Sequence, residues 1–210
     1  MSTIDDERPL GRQAERSERS TEALLDAAAE LIAEVGLVAM TFAALGKRAG
    51  YSRGLVTARF GSKAGLVDAL ISRVWHSLHD AGVVPMSQTS PALSSLTALI
   101  DGIHTIVHDN PRDMKAMVAL LFQAPGADPE LKARMSAFSE DMRAEIGTVL
   151  SRGMADGSIR SGLDVSAEAE LIAGALHGIS YQWLLDPDQV DAARAYATLR
   201  TMLVERYRAT

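Results

Sequence analysis

Cysteine is absent from all 210 residues, which excludes a disulfide scaffold, thiolate catalysis and the common structural zinc sites together. Long apolar runs are absent too. None approaches the ~18 residues that suggest a membrane span. The chain opens Met-Ser-Thr-Ile-Asp-Asp-Glu, acidic where a secretory signal would be basic and then apolar. A cytoplasmic protein with no membrane partner is expected. No stretch alternates apolar and polar residues as a half-buried strand does. Also missing are a Ser/His/Asp order, a phosphate loop, a metal-protease motif and a nucleotide fingerprint, so neither an enzyme nor a cofactor is expected. The most informative gap is local: no Asp or Glu lies between Glu34 and Asp68. Lys47, Arg48, Arg53, Arg59 and Lys63 give that segment +5, so a chain of formal charge −6 carries about −11 elsewhere. One short region is suited to an anion.

What is present is globular in composition, 47% apolar and 23% charged. Residues 1–19 mix charges of both signs without an apolar period and read as a mobile arm. From Ser20 the pattern changes: Leu24, Ala28, Leu31 and Val35 recur at helical steps, with Ser20 or Thr21 able to cap the start and Gly36 the end. Thr41 opens a short second helix bearing Phe42, Leu45 and Ala49, which stops at Gly50. Ser52 is a good N-cap for a third helix through Val56 and Phe60 to Gly61, and Ser62 caps a fourth with Leu66, Leu70, Val74 and Leu78 inward. Two short helices joined by a tight glycine-containing turn and packed on longer neighbours form a helix-turn-helix. Beyond the turn-rich "PMSQTSP", helices are expected near 91–109, 112–123, 128–154, 166–185 and 188–207. The expected architecture is all-α, with a helix-turn-helix unit over 20–62 and a larger helical body over 63–210 whose first helix, 63–81, is a connector.

With Val56 and Phe60 inward, helical rotation turns Gly54, Leu55, Thr57 and Ala58 outward and sets Arg53 and Arg59 at the flanks. That outward face is slim. It can sit deep in a major groove, where Leu55 meets a thymine methyl, Thr57 a base or phosphate, and the arginines phosphate or guanine. Lys63 adds a cation at a helix N-terminus that already favours phosphate, and Thr41, Arg48 and Ser52 complete the expected DNA contacts. A blander reading has Gly54 and Ala58 merely admitting a neighbouring helix; the turn spacing and the acid-free block favour DNA. Gly46, inside the second helix, costs about 0.5–1 kcal/mol relative to alanine unless close packing requires it.

The stretch from Ser20 to about Val74 resembles the N-terminal domain of the tetracycline-repressor-like (TetR) transcriptional regulators: an alanine-rich first helix ending Glu-Val-Gly, Thr41 opening the second, "RAGYSRG" at the turn, then Phe60 and "SKAGL". The resemblance implies a three-helix DNA-binding head, a connector, and a body that dimerises through its last two helices and holds a small molecule. It further implies a homodimeric repressor on a palindromic double-stranded operator, with half-sites about one helical turn (~34 Å) apart, released by a hydrophobic or aromatic effector. An activator of the same fold, or an enzyme using the body cavity, are the alternatives. Two departures stand out. Leu55 occupies a position where the family usually has Thr or Ala, and Thr57 stands where a phosphate-contacting Tyr is usual, so Arg59 is the expected substitute.

In the body, Leu171, Gly174, Ala175, Gly178 and Ile179 on one helix and Tyr196, Leu199 and Leu203 on the last form amphipathic faces. Periodicity alone favours an internal core; the resemblance reverses that and assigns them to a dimer interface. Met114, Met117, Phe122, Met135, Phe138 and Met142 suit a plastic apolar pocket, oriented by Trp75, His79, His104, His177 or Trp183. His104 and His108 lie four apart, but no third ligand is identifiable and no metal is expected.

Overall fold

A computed structural model describes residues 8–80 and 91–209. The chain is all-α, as the sequence patterning requires. α1 (Arg8–Ala39), α2 (Phe42–Ala49) and α3 (Arg53–Phe60) form a head, and α4 (Lys63–Asp80) leads from it into the body. There α5 (Ala92–Asp109), α6 (Pro111–Gln123), α7 (Pro129–Asp156), α8 (Val165–Leu185) and α9 (Ala192–Tyr207) pack together. The turn-rich segment up to Ser90 lies outside the described residues.

The head follows from its caps. Thr41 Oγ1 accepts from the Ala44 amide at 3.1 Å, Ser52 Oγ from Leu55 at 3.2 Å, and Ser62 Oγ from Gly65 at 3.1 Å, each satisfying an amide that a helix start leaves free. Gly50 closes α2 at φ 77°, left-handed and cheap only for glycine. Gly46 is glycine for another reason: a Cβ there would sit 2.7 Å from the Tyr51 carbonyl oxygen and 3.2 Å from the Arg53 nitrogen. Close approach of α2 to the turn therefore requires it. Leu24, Ala28 and Ile32 of α1 join Leu45, Val56, Leu66 and Leu70 in the core.

Four expectations need correction. Ser20 and Thr21 do not cap α1, which already runs through 8–19 as helix. Their hydroxyls instead donate to the Ser17 carbonyl at 2.8 and 2.9 Å, so this stretch is not an irregular arm; residues 1–7 lie outside the described residues. Val35 is 52% exposed rather than core, because the helix breaks just after it at Gly36 (φ 77°, ψ 163°). The last helix starts at Ala192, capped by Asp191, whose carboxylate accepts from the Arg194 amide at 2.9 Å.

Head and body are fastened by charge as well as by packing. Glu22, Asp26, Glu30 and Glu34 lie four apart on α1 and so share one face. From α4, Arg73 Nη1 reaches Asp26 at 3.0 Å and Glu22 at 3.3 Å. From α6, Arg112 Nη1 reaches Asp26 at 3.3 Å and Glu30 at 3.4 Å. From α2, Arg48 reaches Glu30 at 3.4 Å and grips Glu34 in a two-pronged pair at 2.9 and 2.8 Å. The inner end is buried: Arg73 Nη2 donates to Asp113, which is only 2% exposed and also accepts from Asn110 Nδ2 at 2.9 Å. Burial pushes the Asp113 carboxyl above its usual range, against the opposing pull of Arg73.

Candidate functional site

On α3 the structure places Gly54, Thr57 and Ala58 at the surface, Leu55 half-buried, and Val56 wholly in the core. A Cβ built on Gly54 would meet only Ser52 Oγ, at 3.7 Å. No neighbouring helix covers this edge, so the reading in which Gly54 admits a packed neighbour fails among the described residues. Thr57 donates back to the Arg53 carbonyl at 3.1 Å, a local bond that a short hydroxyl makes readily on a helix.

The cations of the acid-free block divide sharply. Arg48 is held by Glu30 and Glu34. Arg59 donates to Ser17 Oγ at 2.7 Å and Ser20 Oγ at 3.3 Å. Lys63 Nζ donates to the Leu37 and Val38 carbonyls, both at 2.8 Å, satisfying acceptors left free where α1 breaks. These three expected DNA contacts thus carry structural bonds, and Arg59 as the replacement for a family tyrosine competes with its grip on α1. Sequence could not foresee this, because every partner lies outside the block or on its backbone. Arg53 is different. It is exposed, has no bonding partner among the described residues, and lines a shallow dent with Thr41 and Ala43 at the start of α2. Lys47 is likewise exposed and without a partner among them.

The residues expected around a ligand fall into separate places. Met114, Met117, Phe138, Met142 and His177 line an internal cavity of about 40 Å³. Trp75 and His79 instead line an outer cleft of about 540 Å³ with His76, Asp141 and Glu145. The Trp75 ring of the cleft lies 5.6 Å from the Phe138 ring of the cavity wall. Met135 is buried but borders neither. Phe122 is 48% exposed and stacks on Tyr181 at 4.0 Å, while Trp183 lies under the Lys115 ammonium at 5.3 Å and His104 sits 6.4 Å from the Tyr196 ring. These four therefore do not line the cavity.

The face expected to bind a second protomer also divides. Leu171 is 58% exposed, and Cβ atoms built on Gly174 and Gly178 would meet nothing. Ala175, Ile179 and Leu199 are half-buried. Tyr196 and Leu203, by contrast, are 1% and 4% exposed and belong to the protomer's own core, with the Tyr196 and Ser180 hydroxyls bonded at 2.6 Å. They face the protomer's interior rather than an open surface. Met202, 59% exposed and one residue from Leu203, is an exposed apolar side chain of α9 that periodicity missed.

A capped helix-turn-helix with a bare, slim third helix, mounted on a larger helical body, is the architecture of a DNA-binding regulatory protein. Comparison with known proteins narrows the class. The family model of the bacterial regulatory proteins, tetR family, matches residues 24–70, and that of the BetI-type transcriptional repressor C-terminal region matches residues 107–207. The chain belongs to the TetR family of transcriptional regulators. It is 22% identical over 178 residues to the HTH-type transcriptional regulator SrpR of Pseudomonas putida, spanning 85% of this chain and 81% of that one. It is 34% identical over 113 residues to BetI of Escherichia coli, 52% of this chain and 55% of BetI. Among solved structures it is similar in fold to the SmeT–triclosan complex (TM-score 0.76, 24% identity, 90% and 92% of the two chains). It is similarly close to FadR from Bacillus subtilis in complex with stearoyl-CoA (TM-score 0.75, 18% identity, 89% and 98%). No described helix is long and apolar enough to cross a membrane.

Proposed function

We propose that the protein is a homodimeric repressor that reads a palindromic operator through α3 and leaves it when a hydrophobic small molecule occupies the body. The observation that carries this reading is the uncovered edge of α3: Gly54, Thr57 and Ala58 face solvent beside an Arg53 with no bonding partner among the described residues. A slim helix face with a free cation at its start suits a major groove flanked by phosphates. Two such helices at matching pitch need a dimer, and the last two helices offer exposed Leu171 and Met202 together with Gly174 and Gly178, where a Cβ would meet nothing, leaving room for close approach. An effector favouring a dimer of the wrong spacing would weaken DNA binding, and DNA must weaken effector binding by the same factor.

Titrating the protein onto palindromic segments beside its own gene at several salt concentrations tests the reading. Specific binding that falls steeply with salt is expected, with Arg53→Ala weakening it and lowering the salt slope by about one. Equal affinity for random DNA overturns it.

A further inference from the structure

The internal cavity is apolar except for two side chains, Ser180 and His177. Ser180 is satisfied, bonded to the Leu176 carbonyl at 2.9 Å and to the Tyr196 hydroxyl at 2.6 Å. His177 is not: its Nε2 is buried without a hydrogen-bond partner. No other unpartnered polar side chain lines this space among the described residues. Leaving such a group unbonded costs stability, so an orphan of this kind calls for a physical explanation. Water is a poor one. A cavity of about 40 Å³ admits a water by volume, but a buried water needs two to four polar partners and only one is free.

We propose that His177 Nε2 is the single polar anchor of the effector cavity, and that the cavity takes an uncharged, mainly hydrocarbon molecule bearing one hydroxyl, with phenols the fitting class. This rests on the body being an effector site, as proposed above. The wall excludes ions, because among the described residues no carboxylate or cationic side chain lines it and a charge there would lose its hydration without a counter-charge. The imidazole is neutral at pH 7: burial, and after it the Arg143 guanidinium, hold it below its ordinary value. A neutral imidazole nitrogen accepts from a hydroxyl or donates to its oxygen according to tautomer. A ring-sized guest is larger than the space now open. The walls that must yield are the unbranched, pliable side chains Met114, Met117 and Met142.

Calorimetric titration of the full chain with 4-ethylphenol and its near-isostere 4-ethyltoluene decides the matter. An apolar cavity with no polar anchor favours the hydrocarbon, since the phenol must shed water from its hydroxyl. Wild-type protein is expected to bind the phenol at least as tightly as the hydrocarbon. His177→Phe is expected to shift the ratio about tenfold or more towards the hydrocarbon, and His177→Gln, which keeps a hydrogen-bonding end, to restore most of it. A preference for the hydrocarbon in wild-type protein overturns the proposal, as does a ratio unchanged in His177→Phe, or binding of neither probe. If His177→Phe fails to fold, the wild-type comparison still decides. Operator affinity measured on the same samples separates the two readings. Phenol selectivity that leaves DNA affinity untouched keeps the anchor and removes the effector role; release from DNA by a ligand indifferent to His177 does the reverse.

Discussion

The head and the body of this protein handle polar groups in opposite ways. In the head, Arg48, Arg59 and Lys63 each have a carboxylate, hydroxyl or carbonyl to hold, whereas Arg53 and Lys47 are exposed without a partner among the described residues, Arg53 where DNA would lie. In the body cavity, almost every side chain is apolar and the exception, His177 Nε2, is buried with nothing to bond. A free cation in water costs nothing, whereas a buried unpaired nitrogen does. The head can therefore wait for its partner without penalty, while the body carries a penalty that a suitable ligand removes.

The two regions meet at the α1 carboxylate ladder, and the largest expected effect comes from breaking its buried end. Arg73→Met strips Asp113, 2% exposed, of its counter-charge, and should cost about 3–5 kcal/mol near neutral pH in chemical denaturation. The pH dependence identifies the cause. Burial already raises the folded-state carboxyl pKa, and Arg73 opposes that rise. Without Arg73 the folded value climbs further above the unfolded one. The folded state then binds a proton more tightly than the unfolded state, so the variant regains stability as pH falls through the raised value and loses it as pH rises from the ordinary carboxylate range towards that value. A loss that does not shrink on acidification means that Asp113 is not the stranded group.

Next comes the turn itself. Gly46→Ala forces a methyl to within 2.7 Å of the Tyr51 carbonyl oxygen, where backbone rather than a pliable side chain must move. A loss of about 1–3 kcal/mol is expected, with weakened DNA binding because Ser52 and α3 are displaced. Thermal melts and anisotropy titrations on one preparation would show both, and an unaltered melt would mean the turn has slack.

The dimer face gives a smaller effect on the protomer and a large one on assembly. Leu171→Asp puts a charge into the exposed apolar patch of α8. Light scattering should then report a monomer at concentrations where the proposed wild-type dimer forms, with the helical circular dichroism signal preserved. Persistence of the dimer would place its interface elsewhere.

How much of this was legible depends on how locally each feature is encoded. Thr41, Gly50, Ser52 and Gly61 act on amides and carbonyls within a few residues, so the head could be read from its caps. The bonds from Arg59 to Ser17 and from Arg73 to Asp113 span 42 and 40 residues, and no local pattern signals them. Tyr196 and Leu203 went to the wrong surface because helical periodicity marks an apolar face without saying what covers it. The methionines announced a cavity, yet interchangeable apolar side chains cannot fix its outline, and Met135 and Phe122 fell outside it.

The smallest effect sharpens the comparison most. Arg48 and Arg53 are both exposed, both basic and five residues apart in an acid-free segment, so net charge treats them alike. Their surroundings do not. Glu34 and Glu30 hold the Arg48 guanidinium and raise its already high pKa, so the pair is close to neutral towards a distant phosphate, whereas Arg53 offers its full charge. Being exposed, the Arg48 pair is screened and costs side-chain entropy to form. Arg48→Ala should leave the denaturation midpoint almost unmoved and the salt slope of DNA binding unchanged, while Arg53→Ala lowers that slope by about one. If both substitutions lower it equally, the α1 carboxylates release Arg48 when DNA arrives, and the ladder becomes part of the binding event rather than a fixed brace.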